Sequence, residues 1–124
     1  MKKLFLIFIL VIAFVVGCGK SDTVKVVAVD QAKAEELIDK GAILIDVRSI
    51  TEYNQGHIEG AINIDVQDIL KVTDSLIYNN ASISKDKKII VYCRSGSRSS
   101  SAAGKLIELG YTNVYDLGSI DNWS

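Results

Sequence analysis

Short apolar runs alternate with amphipathic stretches along most of the chain. Four runs have strand length, at residues 24–29, 42–45, 88–92 and 113–117, and the first is rich in β-branched side chains. A shorter segment at 61–64 follows a turn. Stretches with apolar residues at helical spacing separate them, at 31–40, 66–78 and 99–109. Strands that alternate with helices imply right-handed crossovers. The pattern therefore predicts one α/β domain, three-layered α/β/α, around a parallel sheet of about five strands.

Polar residues and glycines mark the ends of these elements. Asp30 precedes the first helix and can cap its N-terminus, while Gly41 follows that helix and can adopt the left-handed conformation that ends helices. Gly110 ends the helix at 99–109 in the same way. The segment 66–78 predicts one or two short amphipathic helices, and the polar segment 79–87 predicts a loop.

The N-terminus has a different character from the rest of the chain. Lys2 and Lys3 precede thirteen consecutive apolar residues, which run from Leu4 to Val16. A membrane-spanning helix needs about 20 apolar residues, so this run is short for a span. We expect residues 1–17 to be a signal peptide; an uncleaved anchoring span is the alternative.

The leader ends in Val15-Val16-Gly17-Cys18, which resembles the lipobox of bacterial lipoproteins. The resemblance implies that Cys18 is lipidated, that residues 18–23 form a lipid-anchored tether, and that the domain comprises residues 24–124. It also implies export to the bacterial cell envelope, periplasmic or on the outer surface, with membrane attachment through Cys18. The alternative is that Cys18 stays free or forms a disulfide with Cys93.

The net charge and the small number of histidines and cysteines each argue against one class of function. The 124 residues carry 14 basic and 15 acidic side chains, a formal net charge of −1, which becomes −3 when residues 1–17 are removed. Nucleic-acid binding has no electrostatic support, because no basic patch is available to neutralise phosphates. With Cys18 assigned to the lipid anchor, one histidine and one cysteine are left in the domain, so we expect no metal site.

The strongest chemical signal lies between the run at 88–92 and the helix that follows. This junction reads Cys93-Arg94-Ser95-Gly96-Ser97-Arg98-Ser99. Backbone N–H groups at a helix N-terminus lack intrahelical partners, and the helix dipole adds partial positive charge there. Nearby arginines also lower a cysteine pKa. The residues therefore predict a Cys93 thiolate that acts as a nucleophile inside an anion-binding loop.

The same loop resembles the active-site loop of rhodanese domains, which are sulfurtransferases. Two further blocks agree in the same order: Asp46-Val47-Arg48 at the end of an apolar run, and Glu52-Tyr53 followed by residues 56–64. The resemblance covers roughly Val24 to the C-terminus and implies the rhodanese fold and no cofactor. The chain departs from the family at Ser119, where members often carry a second glycine, and this departure concerns a turn.

The resemblance implies that Cys93 is the catalytic residue of a sulfurtransferase. We expect its thiolate to take the outer sulfur of a small anionic donor such as thiosulfate as a persulfide, which a thiol or cyanide then accepts. Substrate binding is expected from the loop residues Arg94, Ser95, Gly96, Ser97, Arg98 and Ser99. Because persulfides oxidise readily outside the cytosol, we also expect a redox or sulfur-accepting protein partner.

Three charged or titratable residues near the loop could be catalytic or structural. Asp46 and Arg48 stand at a strand end, where active residues of open α/β sheets gather, but partly buried charges are normally paired. We favour a structural role in which they pair with local charges such as Glu52. His57 could form a dyad with Cys93. The resemblance implies instead that His57 belongs to the scaffold.

Two other readings of the loop stay open. A cysteine phosphatase or arsenate reductase also uses a thiolate and an arginine, but its loop has one residue more between them. Here four residues separate Cys93 from Arg98, which favours sulfur over phosphate. The second alternative is a non-catalytic module that carries sulfur or senses redox state for a partner.

Overall fold

The computed structural model describes residues 23–124 of the chain. The predicted signal peptide at 1–17 and the predicted lipid anchor at Cys18 lie outside this part. The main sheet contains five strands, which are β1 Val27–Ala28, β2 Ile43–Asp46, β3 Ile62–Asn63, β6 Ile89–Cys93 and β7 Val114–Ser119. All neighbours in it are parallel, in the order β1-β7-β6-β2-β3. Strand β6 is therefore central, and all five of its residues are buried.

Helices connect the strands, and a side-chain cap precedes each α-helix except the last, which follows Gly96. They are α1 Gln31–Asp39, α2 Ile50–Asn54, α3 Val66–Leu70 and α4 Ser97–Glu108, with a short 3-10 helix at Ile120–Asn122. The predicted cap at Asp30 is confirmed, because its carboxylate accepts the N–H of Lys33 at 2.9 Å. Helix α4 begins two residues earlier than the sequence pattern indicated, so Arg98 lies in its first turn.

The side chains of β6 divide the interior into two layers. Ile89, Val91 and Cys93 belong to a core that also contains buried residues of α3 and α4. Ile90 and Tyr92 point to the opposite face, where the core includes Ala34 and Leu37 of α1. This alternation follows from the two-residue period of a strand. The predicted three-layer α/β/α fold with a five-stranded parallel sheet is confirmed.

The segment after α3 is the main correction to the predicted elements. Helix α3 ends at Leu70, and Ile77–Tyr78 (β4) forms an antiparallel hairpin with Ala81–Ser82 (β5), so the helix predicted as far as 78 and the loop predicted at 79–87 are wrong there. Asn79 and Asn80 adopt left-handed φ angles of 54° and 63°. A two-residue hairpin turn needs such angles, which asparagine tolerates better than most residues. The apolar side chains of β4 are exposed, so their spacing did not reflect packing.

The parallel arrangement brings several polar residues to one edge of the sheet. Asp46, Asn63, Cys93 and Ser119 are the last residues of β2, β3, β6 and β7. Because the carboxyl ends of parallel strands meet at one edge, these residues share the place where open α/β sheets bind ligands.

Candidate active site

The loop that contains Cys93 is short and sharply turned. Cys93 ends β6, and α4 begins at Ser97, so only residues 94–96 connect them. Gly96 precedes the helix with a φ of 104°, a conformation that side chains with a Cβ adopt at a cost. The turn brings the first N–H groups of α4 back over the cysteine.

Two backbone N–H groups converge on the sulfur of Cys93. The N–H of Gly96 donates to Sγ at 3.0 Å, and the N–H of Ser99 donates at 3.3 Å. Burial raises the pKa of the Cys93 thiol, but hydrogen bonds from Ser99, Gly96 and Ser95 lower it, and the net pKa lies below the ordinary value. Of the backbone N–H groups in the loop, those of Gly96 and Ser99 thus lie within hydrogen-bond distance of the sulfur.

Cys93 itself is fully enclosed by the loop. None of its surface is exposed, whereas Arg94, Ser95 and Ser97 on the rim are exposed. Ser99 is also buried, and its hydroxyl donates to the carbonyl of Gly96 at 3.1 Å, which closes the turn. In this conformation the loop therefore covers Sγ.

Arg98 is held by an ion pair with Glu52 of α2. Its Nη1 lies 2.7 Å from Oε1 and its Nη2 lies 3.0 Å from Oε2. Hydrogen bonding to Arg98, and next to Ser49, lowers the pKa of Glu52 to about 2. We expected Asp46 and Arg48 to pair with local charges such as Glu52, but Glu52 pairs with Arg98 of the loop instead. Both η nitrogens of Arg98, which were expected to bind the substrate anion, therefore already donate to Glu52.

Ser119 fixes the other side of the loop. Its hydroxyl donates to the carbonyl of Arg94 at 2.6 Å and accepts the N–H of Asp121 at 3.0 Å. The sequence marked Ser119 only as a departure in a turn. Pairing of β6 with β7 sets Ser119 opposite Cys93, which the sequence alone does not show.

Asp46 and Arg48 form a buried ion pair with each other. The Nη2 of Arg48 lies 2.7 Å from Oδ2 of Asp46, and its Nε lies 3.0 Å from Oδ1. Arg48 also donates to the carbonyl of Gly56 at 2.6 Å. Both side chains are buried, with exposures of 0% and 5%. Their hydrogen bonds hold the end of β2 and the segment after α2, as a structural role requires.

Comparison with known proteins identifies the family to which the chain belongs. The profile of the rhodanese-like domain matches residues 30–124. The chain belongs to the rhodanese family. Its fold is also that of the human single-domain sulfurtransferase TSTD1, with a TM-score of 0.67 and 25% sequence identity over 79% of this chain and 93% of that one.

Two relatives of this rhodanese domain carry sulfurtransferase names. The chain is 39% identical over 93 residues to "Putative thiosulfate sulfurtransferase, mitochondrial" of Schizosaccharomyces pombe, covering 69% of this chain and 66% of that protein. It is 40% identical over 87 residues to "Adenylyltransferase and sulfurtransferase UBA4" of Candida albicans, covering 68% of this chain and 20% of that protein. The chain thus spans less than two thirds of the length of these relatives.

His57 packs in the scaffold of the rhodanese domain. Its Nδ1 lies 2.8 Å from the carbonyl of Tyr53, and its ring stacks on the Tyr53 ring with centroids 3.7 Å apart. The hydroxyl of Tyr53 donates to the carbonyl of Ala61 at 2.6 Å. Within residues 23–124 no hydrogen bond joins His57 to Cys93, so these contacts support the scaffold reading.

Tyr92 is a buried supporting residue that the sequence analysis did not single out. It precedes Cys93 and points to the other face of the sheet, where its hydroxyl accepts the N–H of Ile58 at 3.0 Å. Its ring also lies 5.9 Å from the Arg48 guanidinium. The sequence signal for this role was a tyrosine inside an apolar strand, because a buried hydroxyl needs a hydrogen-bond partner.

Residues 23–124 contain neither a cluster of metal ligands nor a membrane-spanning helix. Within this range, no three His, Cys, Asp or Glu side chains are grouped so that they could hold a metal ion. None of the helices between residues 23 and 124 is long and apolar enough to span a bilayer.

Proposed function

We propose that this rhodanese domain is a sulfurtransferase that transfers sulfane sulfur through a persulfide on Cys93. The observation that carries the proposal is the pair of N–H groups, from Gly96 and Ser99, that donate to Sγ at the start of α4. Such donors stabilise negative charge on sulfur, and a persulfide retains a negative charge on its outer atom. A lowered pKa also supplies the thiolate without a neighbouring base, so His57 is not needed.

Thiosulfate is the proposed donor, and the reaction has two halves. In the first, the Cys93 thiolate attacks the outer sulfur, the S–S bond of thiosulfate breaks, and sulfite leaves with the electron pair. In the second, cyanide or an acceptor thiolate attacks the outer sulfur of the persulfide. That step releases thiocyanate or a new persulfide and restores the Cys93 thiolate, so no cofactor or external redox reagent is consumed.

The two loop arginines have different parts in donor binding. Arg94 is exposed, and among the described residues its guanidinium has no ion-pair partner, so it is placed to attract the dianion at the rim. Arg98 contributes its charge from the position set by Glu52. The exposed hydroxyls of Ser95 and Ser97 can donate to the sulfonate oxygens. Because Cys93 is enclosed, binding includes a movement of residues 94–96 that opens a path to Sγ.

The short loop supports sulfur over phosphate as the transferred group. Only four residues separate Cys93 from Arg98, and only residues 94–96 lie outside regular structure between β6 and α4. A shorter loop encloses a smaller group.

The test uses the full-length chain with Cys18→Ser, which leaves Cys93 as its single cysteine. Initial rates of thiocyanate formation are measured over a grid of thiosulfate and cyanide concentrations, with Cys18→Ser/Cys93→Ser as the matched control. We expect parallel double-reciprocal lines and no rate in the control. A carrier module would accept one sulfur without turnover. Phosphate release from p-nitrophenyl phosphate that depends on Cys93, without thiocyanate formation, would replace the proposal with a phosphatase.

We also propose that the protein is exported to the bacterial cell envelope and anchored through lipidated Cys18. The proposal is supported by the thirteen apolar residues after Lys2 and Lys3 and by the sequence that ends in Cys18. In expressing cells, the wild-type chain should fractionate with membranes and have the mass of residues 18–124 plus a lipid. The Cys18→Ser chain should gain no lipid, and an unchanged mass in the wild type would contradict the proposal.

A further inference from the structure

The ion pair between Glu52 and Arg98 connects two elements that are distant in sequence. Glu52 lies in the first turn of α2, and Arg98 lies in the first turn of α4. Each guanidinium η nitrogen donates to a different carboxylate oxygen, Nη1 to Oε1 at 2.7 Å and Nη2 to Oε2 at 3.0 Å. The side chains are 23% and 36% exposed, so the pair is partly shielded from water. A bidentate contact of this kind fixes direction as well as distance.

The Glu52 carboxylate is itself fixed by the cap of α2. Its Oε1 accepts the backbone N–H of Ser49 at 3.1 Å and the hydroxyl of Ser49 at 3.1 Å, while the Glu52 N–H donates to Ser49 Oγ. Ser49 follows directly after the buried Arg48, which lies just beyond the end of β2. Glu52 therefore presents a rigid acceptor to Arg98, because the capping box removes its freedom to turn away.

Arg98 in turn lies beside the residue that touches the sulfur. The next residue is Ser99, whose N–H donates to Cys93 Sγ. The pKa of Arg98 is raised, first by hydrogen bonding to Glu52 and also by the negative charge of Cys93. The guanidinium is therefore within electrostatic reach of the thiolate, and its backbone belongs to the turn that encloses Sγ.

We propose that Glu52 is a positioning residue for Cys93, acting through Arg98. By fixing the guanidinium it holds the first turn of α4 over Sγ and keeps a positive charge beside the thiolate. The inference deepens the proposed function, because it assigns to α2 a part in activating the nucleophile. It does not depend on which sulfur donor the domain uses.

The sign of the effect separates positioning from simple proximity. If Glu52 acted on Cys93 only as a nearby negative charge, its neutralisation would lower the thiol pKa. If it acts by holding Arg98 and the helix start, its neutralisation raises that pKa. The other charged groups of this region do not change: Arg94 on the rim, Asp65, whose charge acts on Arg98, and the mutually paired Asp46 and Arg48.

The experiment measures alkylation of Cys93 by iodoacetamide as a function of pH in the full-length chain with Cys18→Ser. The midpoint of the profile reports the thiol pKa, while the plateau at high pH reports access to the sulfur. We expect Glu52→Gln to move the midpoint upward, with about a threefold or larger loss of rate at a fixed pH below it. Arg98→Gln should do the same. The double variant should match Arg98→Gln alone, because Glu52 acts only through Arg98.

Control variants keep the test decisive. Glu36→Gln removes an exposed carboxylate that pairs with Lys33 and Lys40 on α1, and it should leave the profile unchanged. Should Glu52→Gln fail to fold, Glu52→Asp keeps the charge but is too short to hold both η nitrogens, and it should also raise the midpoint. A midpoint that falls or stays constant, or shifts that add in the double variant, would overturn the inference. Alkylation needs no donor, so failure of sulfur transfer in the parent chain is observed separately.

Discussion

Replacing Asp46 with asparagine should destabilise the domain far more than it alters the chemistry of Cys93. The Asp46 side chain is fully buried and accepts from Nε and Nη2 of Arg48 and from the Arg48 backbone N–H. Asparagine offers one acceptor oxygen, and its amide N–H groups would face the guanidinium donors. Arg48, only 5% exposed, would keep its charge without a compensating partner.

The expected magnitude follows from the cost of an unpaired buried charge. Removing one member of a buried ion pair costs about 3–5 kcal/mol, against a total stability of about 5–15 kcal/mol for a domain. For a domain of this size, about 3 kcal/mol corresponds to a fall in Tm of roughly 12 °C or more. The matched control is Glu36→Gln, whose exposed ion pairs with Lys33 and Lys40 are screened by water, so it should leave the stability nearly unchanged.

The assay is equilibrium denaturation by urea, monitored by the single tryptophan and by circular dichroism. The double variant Asp46→Asn/Arg48→Met should recover part of the lost stability, because it removes the unpaired charge. A loss below about 1 kcal/mol for Asp46→Asn would refute the reasoning. If the folded variant kept its stability but lost persulfide formation, Asp46 would be catalytic and the structural assignment would be wrong.

Three further predictions concern residues around the loop. Tyr92→Phe leaves the buried N–H of Ile58 without its acceptor and should cost about 1–3 kcal/mol in urea denaturation; an unchanged midpoint would contradict this. Gly96→Ala introduces a Cβ at a φ of 104°, so it should lower the free energy of unfolding by about 1–2 kcal/mol and slow persulfide formation. The control Gly104→Ala, in the exposed middle of α4, should not destabilise the domain. The pKa of Glu52 is lowered from 4.5 to about 2, so its ion pair with Arg98 stabilises the folded domain fully above pH 4.5 and progressively less as the pH falls toward 2. The difference in unfolding free energy between the parent chain and Glu52→Gln should therefore shrink over that range; a constant difference would contradict this.

Sequence reasoning succeeded where local pattern and tertiary packing agree. Residues 89–93 form a continuous apolar run that the structure buries on both faces, and glycine and serine after it indicate the turn into a helix. The position of Cys93 at that junction followed from this local order. The same reasoning failed at Ile77–Tyr78, because apolar residues that stay exposed carry no information about packing. The adjacent asparagines were the signal for the hairpin.

The supports of the loop could not be predicted because they join distant segments. Glu52 and Arg98 are 46 residues apart, and each had closer charged residues as candidate partners. Ser119 reaches the carbonyl of Arg94 only because β7 lies beside β6 in the sheet. Such contacts depend on strand order, which hydrophobic periodicity does not determine. The enclosure of Cys93 likewise results from the path of the turn rather than from residue types.

The central claim is that Cys93 carries sulfur, and intact mass spectrometry tests it most directly. The full-length Cys18→Ser chain is incubated with thiosulfate, and its mass is compared with that of the Cys18→Ser/Cys93→Ser chain treated identically. The account predicts a gain of one sulfur atom in the first chain, which cyanide removes, and no gain in the second. An unchanged mass in both chains, or the same gain in both, would contradict a persulfide on Cys93.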